Sequence, residues 1–103
     1  MQVNQIVKGQ TILQQLGGTR FAVMTGSKNF VAGSNFLQFS VGRGTKNKAN
    51  KVKITLEASD LYTLEFFSVR GVNVKQCGDA VRDVYADKLQ EAFTEATGFY
   101  TNF

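Results

Sequence analysis

The sequence contains no histidine, no proline and no tryptophan, and it has one cysteine among 103 residues. Without histidine, the chain lacks the side chain that most often acts as general base or metal ligand near neutral pH. One cysteine, Cys77, can form neither an intramolecular disulfide nor a thiolate zinc site. We therefore expect a protein that is not an enzyme and that binds no cofactor and no metal.

Acidic residues are absent from the first 56 positions. That half of the chain carries eight lysines and arginines, whereas residues 57–103 carry eight acids and four bases. The formal charge of +4 is thus the balance between a strongly basic half and an acidic half. Such an asymmetry concerns binding partners and solubility more than fold.

Long hydrophobic runs are also missing, since the longest last only a few residues. A membrane-spanning helix needs about 18 or more apolar residues, and the first positions lack the basic and apolar segments of a secretory signal. We expect a soluble, cytoplasmic protein with no membrane contact. In that reducing setting Cys77 is expected to be a free thiol within a turn.

The composition fits one folded domain spanning residues 1–103. Hydrophobic residues make up 43% of the chain and charged residues 19%, which is enough apolar material for a core. Chains usually divide into domains only beyond about 250 residues. No repeat or low-complexity segment suggests a boundary.

Hydrophobic spacing predicts an α+β fold. A helix is expected over Asn4–Leu16, ended by Gly17 and Gly18, because glycine adopts the left-handed conformation of helix C-termini. Apolar runs and alternation predict strands, which are Arg20–Met24, Phe30–Val31, Phe36–Val41, Lys51–Glu57, Leu61–Val69 and a short edge strand around Val72 and Val74. We expect an antiparallel sheet of four or five strands with Leu61–Val69 in its interior.

The C-terminal segment predicts an amphipathic helix packed on one face of that sheet. Two series recur every four residues and fall on opposite sides of a helix. The apolar series is Val81, Tyr85, Leu89 and Phe93, and the acidic series is Asp79, Asp83, Asp87, Glu91 and Glu95. We expect Asp79 or Asp83 to cap the helix and Gly98 to end it. The acidic ridge is either a solvated face or an interface.

Five cations with no intervening acid form the densest charge in the chain, namely Arg43, Lys46, Lys48, Lys51 and Lys53. As a flexible loop followed by the outward positions of a strand, this segment is suited to follow a phosphate backbone. Phe36 and Phe67 are candidates to stack on unpaired bases, because both lie on the parity away from the clearest apolar face. These seven residues are the predicted nucleic-acid-binding site.

The basic segment also fits two simpler roles, and both stay open. It is a solvated loop whose lysines protect a sheet edge, or a contact for an acidic protein. A phosphate loop is not expected at Gly26-Ser27-Lys28, which lacks the required spacing and residue order. The acids nearest the sheet, Glu57, Asp60 and Glu65, are better explained by pairing with neighbouring cations than as metal ligands.

Three segments carry a further pattern. They are LGG at 16–18 with RF at 20–21, MTGSKNFV at 24–31, and the ending YADKLQ at 85–90 with FTEATGFYT at 93–101. On these residues the chain resembles an uncharacterised family of small hypothetical proteins of tailed phages and prophages. The resemblance implies a phage context, and hence the host-cell cytoplasm, but no mechanism.

The sequence thus predicts a small phage-encoded, non-enzymatic protein that binds nucleic acid, with single-stranded DNA or RNA favoured. The alternative is a phage accessory protein that binds and inhibits or redirects a host protein through the acidic ridge or the aromatic residues 99–103. A third interpretation is a small structural or virion-associated protein. The aromatic end either packs on the core or joins a second copy in a homodimer.

Overall fold

The computed structural model describes residues 12–99, in which an antiparallel sheet carries helices on one face. The predicted α+β class is confirmed. The helices are α1, described over 12–16, α2 (Gly18–Thr25) and α3 (Leu89–Thr97), with a 3₁₀ turn at Ala86–Lys88 before α3. The strands are β1 (Lys28–Ala32), β2 (Phe36–Ser40), β3 (Lys51–Leu56), β4 (Tyr62–Arg70), β5 (Asn73–Gln76) and β6 (Val81–Val84).

The longest strand, β4, lies inside the sheet, as predicted. The order is β1-β2-β3-β4, and the far edge of β4 is shared by two strands. Its C-terminal half pairs with β5, where Val69 lies opposite Val74, and its N-terminal half pairs with β6, where Leu64 lies opposite Val81. The predicted edge strand around Val74 is therefore confirmed as β5.

The core lies between one face of the sheet and the helices. Alternation in β3 places Val52 and Ile54 in the core, fully buried, and Lys51 and Lys53 on the opposite face, as the sequence predicts. An aromatic cluster joins the layers. Phe21 of α2 packs edge-on against Phe39 of β2 and Phe93 of α3, with ring centroids 5.5 and 5.0 Å apart.

The predicted strand Arg20–Met24 is wrong, because these residues belong to α2. A short continuous apolar run does not distinguish a strand from a buried helix. In α2, the fully or nearly buried positions are Gly18, Phe21 and Thr25, which recur at helical spacing. The Thr25 hydroxyl also donates to the Phe21 carbonyl oxygen at 2.7 Å, and Gly26 ends the helix in the left-handed conformation.

The C-terminal helix is shorter than predicted. Residues Val81–Val84 form β6 instead, and α3 begins only at Leu89, with Lys88 rather than Asp79 or Asp83 at its N-cap. The N-terminal half of β4 would otherwise expose unpaired backbone groups, and pairing with β6 satisfies them. The acidic series is therefore not one helical ridge, since Asp83 lies in β6 with a positive φ of 58°.

Two glycine boundaries were predicted correctly. Gly98 follows α3 in the left-handed conformation, with φ at 80°, and the turn at Gly17 separates α1 from α2. Gly18, however, opens α2 rather than ending α1. The predicted helix before residue 12 and the aromatic residues after Phe99 lie outside the described residues. No helix within 12–99 has the length and apolar character needed to cross a bilayer.

Replacing Phe21 by alanine tests the helical assignment of α2. In a helix, Phe21 is fully buried whereas Val23 is 75% exposed; in a strand the two side chains would share one face. We expect Phe21→Ala to lower the free energy of unfolding by about 3–5 kcal/mol through the cavity it leaves. We expect Val23→Ala, the control, to change it by less than about 0.5 kcal/mol. Urea unfolding followed by circular dichroism measures both, and equal losses would contradict the helix.

Candidate nucleic-acid interface

The basic loop between β2 and β3, residues 41–50, is tied down at several points. The Lys46 amide donates to the Thr97 carbonyl at the end of α3 (2.7 Å), and the Gly42 amide donates to the Thr25 carbonyl at the end of α2 (3.0 Å). Inside the loop, the buried Thr45 hydroxyl donates to the Ala49 carbonyl at 2.7 Å. The loop is thus a packed segment rather than the flexible hairpin loop that we expected.

Asn50 joins this loop to β4. Its side-chain nitrogen donates to the Val69 carbonyl at 2.9 Å, and its side-chain oxygen accepts from the Val69 amide at 2.8 Å. The backbone amide of Asn50 donates to the Phe67 carbonyl at 2.9 Å. The carboxamide therefore takes the place of a strand backbone and extends the β3–β4 pairing by one step.

Lys48 holds a left-handed backbone conformation, with φ at 65°. This conformation is uncommon for a residue with a long side chain and is usual for glycine or asparagine. The Lys48 amide donates to the Thr45 carbonyl at 3.1 Å, and the neighbouring Asn47 side chain accepts from the Ala49 amide at 3.2 Å. The turn is thus fixed around a lysine whose side chain is exposed.

The outward face of the sheet carries a transverse row with two lysines and an aromatic ring. Strand register places Lys28 opposite Ser40, Ser40 opposite Lys51, Lys51 opposite Phe67, and Phe67 opposite Gln76. The described helices contribute their apolar residues to the core on the other face. Within residues 12–99 the side chains of this row are therefore half-buried or exposed, and none is fully buried.

Lys53 and Phe36 form a second group on the same face. The Lys53 ammonium lies 4.8 Å from the centroid of the Phe36 ring, a cation–π contact. The ring edge also rests on Gly33, where a Cβ would stand 2.1 Å from Phe36 Cε2. Glu65 lies opposite Lys53 in the register, but the ammonium is directed over the ring. Phe36 is therefore engaged on one ring face and at one edge, whereas Phe67 carries no such contact among the described residues.

The seven predicted residues divide into three places. Lys51, Lys53, Phe36 and Phe67 share the outward face, as expected. Lys46 lies against the C-terminus of α3, where a Cβ at Gly98 would stand 3.4 Å from Lys46 Cβ. Arg43 and Lys48 line grooves at the end of the sheet.

Two grooves lie side by side at the end of the sheet where β3 begins and β4 ends. One has a volume of about 620 Å³ and lies between the basic loop and the β4–β5 hairpin; the other, of about 630 Å³, lies between the same loop and the last residues of β4. Lys48 and Arg70 line both. We call this pair of cavities the end groove.

Sequence reasoning missed Arg70 and Lys75. Both were counted among the bases of the acidic half, yet the hairpin at Gly71, whose φ is 61°, brings them to the end groove. Arg70 lies opposite Asn73 and Lys75 opposite Ser68, so the two cations share one face of the hairpin. The glycine signal for this turn was present in the sequence, but the register was not.

The acids among residues 12–99 lie outside the lining of the end groove. Glu57 and Asp60 lie in the β3–β4 turn at the other end of the sheet, where the Asp60 amide donates to the Glu57 carbonyl at 3.0 Å. Glu95 lies in the last turn of α3 and Asp79 follows the groove residue Gly78, but neither lines the groove. Within the described residues, the end groove is lined by cations and neutral groups only.

Comparison of the chain with protein families, with curated proteins and with solved structures finds no match. Among residues 12–99, no group of three or more cysteines and acids is placed to hold a metal ion. The interpretation of the site therefore depends on its own geometry and charge.

The contact between Gly33 and Phe36 predicts a coupled pair. Gly33→Ala is expected to lower the free energy of unfolding by about 1–3 kcal/mol, because the new methyl group overlaps the ring. In a Phe36→Ala background the same change is expected to cost much less, since the ring is gone. A double-mutant cycle in urea measures the coupling. An equal cost in both backgrounds would show that the ring is not what requires glycine.

Asn50→Asp tests the link between the loop and β4. A carboxylate cannot donate to the Val69 carbonyl, so we expect a loss of about 1–2 kcal/mol in the free energy of unfolding at neutral pH. Asn35→Asp is the matched control, because Asn35 makes one longer bond of 3.4 Å to the Leu56 carbonyl. Thermal unfolding of both variants measures the difference. Similar shifts for the two would contradict the bridging role of Asn50.

Proposed function

We propose that the protein is a non-enzymatic, phage-encoded protein that binds single-stranded nucleic acid across the outward face of its sheet. The main support is the row in which Lys28 and Lys51 flank Ser40 and Lys51 stands beside Phe67. Lysine ammonium groups neutralise phosphates, and a half-exposed aromatic ring offers a surface on which a base stacks. The packing of the helices on the other face supports this assignment.

Single strands fit this surface better than duplexes. Stacking on Phe67 requires a base that is free of its own neighbours, which a duplex does not offer without distortion. The outward face also presents no helix or protruding ribbon, among residues 12–99, of the kind that enters a major groove. We assign base stacking to Phe67 alone, and we assign to Phe36 the positioning of the Lys53 ammonium.

Electrostatics supports the same surface. The lysines of the outward face are not balanced by contacts with acids, since Lys28, Lys51 and Lys53 form no ion pair in the described part of the chain. Counterions that accumulate at such a surface are released when phosphates replace them, and this release drives binding. Affinity is therefore expected to fall steeply as salt increases.

The outward face can be tested with neutral substitutions. We expect Lys51→Gln and Lys53→Gln each to weaken binding to a fluorescent oligothymidine and to lower the slope of log affinity against log salt by about 0.7. Phe67→Leu is expected to cost about 1–3 kcal/mol of binding free energy with little change in that slope. Fluorescence anisotropy over a salt series measures each.

Arg82→Gln is the control for these variants. It removes the same charge from β6, where Arg82 is exposed outside the row of lysines, and it should leave affinity almost unchanged. Loss of affinity equal to that of Lys51→Gln would indicate a nonspecific effect of net charge. If the unmodified protein retains no single-stranded DNA or RNA even at low salt, the proposed function is wrong.

Binding to a host protein is the second candidate. The expected contact was either the acidic ridge or the aromatic residues 99–103, of which those after Phe99 lie outside the described residues. The ridge is not continuous, because Asp83 belongs to β6 and only Glu91 and Glu95 of that series lie in α3. Val74 of the edge strand β5 and Val72 in the turn before it are 65% and 97% exposed, and this exposed apolar pair favours a protein contact. Partners captured from host lysate that persist after nuclease digestion would support this candidate.

A further inference from the structure

The end groove has the size and lining of a ligand site. Its two halves, of about 620 and 630 Å³, each fall within the range of about 300–1,000 Å³ that is typical of such sites. Four cations line it, with Arg43 in one half, Lys75 in the other, and Lys48 and Arg70 in both. The two halves therefore share two positively charged side chains.

We propose that the end groove is a phosphate track, in which consecutive phosphodiesters of a single-stranded nucleic acid lie along Arg43, Lys48, Arg70 and Lys75. The track rests on the proposed function and adds to it a path for the strand. By strand alternation, Arg70 and Lys75 lie on the face of the β4–β5 hairpin opposite to the one that carries Lys51 and Phe67. The nucleic acid therefore passes from the row around the end of the sheet to reach the groove.

The choice of a polyanion as the ligand rests on charge complementarity. None of the described residues that line the groove is acidic, and the side chains of Asn47, Asn73 and Gln76 supply neutral donors. Arg43, Lys48, Arg70 and Lys75 form no ion pair within residues 12–99. Like charges gathered without partners repel one another, so a polyanion that enters the groove relieves that repulsion. An arginine guanidinium also matches phosphate geometry through two parallel hydrogen bonds.

Strand register fixes part of the track before a ligand arrives. Arg70 and Lys75 are diagonal neighbours on one face of the β4–β5 hairpin, and such positions are about 7–8 Å apart. The loop that carries Arg43 and Lys48 is held by the bonds from Lys46, Gly42 and Asn50 to the rest of the fold. Binding therefore does not have to order a loose segment, which lowers its entropic cost.

The backbone conformation of Lys48 supports the track independently of the groove's charge. A left-handed backbone is strained for lysine and relaxed for glycine or asparagine, and it occurs here at a residue that lines both halves of the groove. A turn selected for stability alone would favour glycine or asparagine at this position. We infer that the lysine is present for its charge.

The experiment measures binding of a fluorescent oligothymidine of about 20 nucleotides to the full chain, by anisotropy over a salt series. We expect Arg70→Gln, Lys75→Gln and the double variant to weaken binding progressively, with the salt slope falling by about 0.7 for each cation removed. Arg82→Gln, which lies outside the groove, is the matched control. Melting temperature, measured on every variant, shows that the fold is retained.

Lys48→Asn separates binding from stability. If the lysine serves the track, this change lowers affinity and salt slope while the melting temperature stays equal or rises, because asparagine accepts the left-handed conformation. A lower melting temperature with unchanged affinity would mean that Lys48 is structural, and would overturn its role.

The outcomes distinguish the track from the proposed function. If the unmodified chain binds no oligonucleotide, the function itself fails. If the unmodified chain binds, if the groove variants have the same affinity as Arg82→Gln, and if Lys51→Gln has a lower affinity, the proposed function stands and the track is wrong. Polyglutamate of equal charge is added as a competitor. Displacement at the same concentration as unlabelled oligothymidine would show a general polyanion surface and overturn the assignment to phosphodiesters.

Discussion

The need to pair both edges of β4 organises the whole domain. This nine-residue strand has hydrogen-bonding groups on two sides, and unpaired groups of that kind are costly when buried. β3 pairs with one edge, while β5 and β6 divide the other between them. Because β5 pairs with the C-terminal half of β4 and β6 with its N-terminal half, the chain runs from the end groove to the opposite end of the sheet. From there α3 runs back over the core. At its end, the Thr97 carbonyl meets the basic loop at Lys46.

The same constraint explains which elements could be predicted from the sequence. β3 was predictable because its alternation is local and complete, with Val52 and Ile54 buried and Lys51 and Lys53 outward. β6 was not, because its pairing with β4 is non-local while its residues also fit a helical pattern. The pairing of β6 with β4 therefore outweighed the helical spacing of its residues. The strand prediction for the segment around Phe21 was wrong for another reason, since a short apolar run has no periodicity that distinguishes a helix from a strand.

The candidate site shows a similar division. The absence of acids before Glu57 predicted a basic surface, and parity placed Lys51 and Phe67 on one face of the sheet. Parity cannot show which rings are free, however, and Phe36 proved to be held by Gly33 and Lys53. Nor can composition find Arg70, which counts as a base of the acidic half until the hairpin at Gly71 brings it beside Lys48. The net charge of a chain segment predicts the sign of the charge on a surface, whereas strand register shows which residues form that surface.

Rigidity and charge act together at the basic end of the sheet. Cations placed on a mobile loop would spread apart and weaken their shared field, and the entropy of ordering them would oppose binding. Here Asn50 extends the β3–β4 pairing, and the Lys46 and Gly42 amides fix the loop to two helix ends. The backbone contacts, which carry no charge, therefore hold the positive side chains close together against their repulsion. The loop cations are thus held next to Arg70 at the end of the sheet, while Lys51 and Phe67 lie on its outward face.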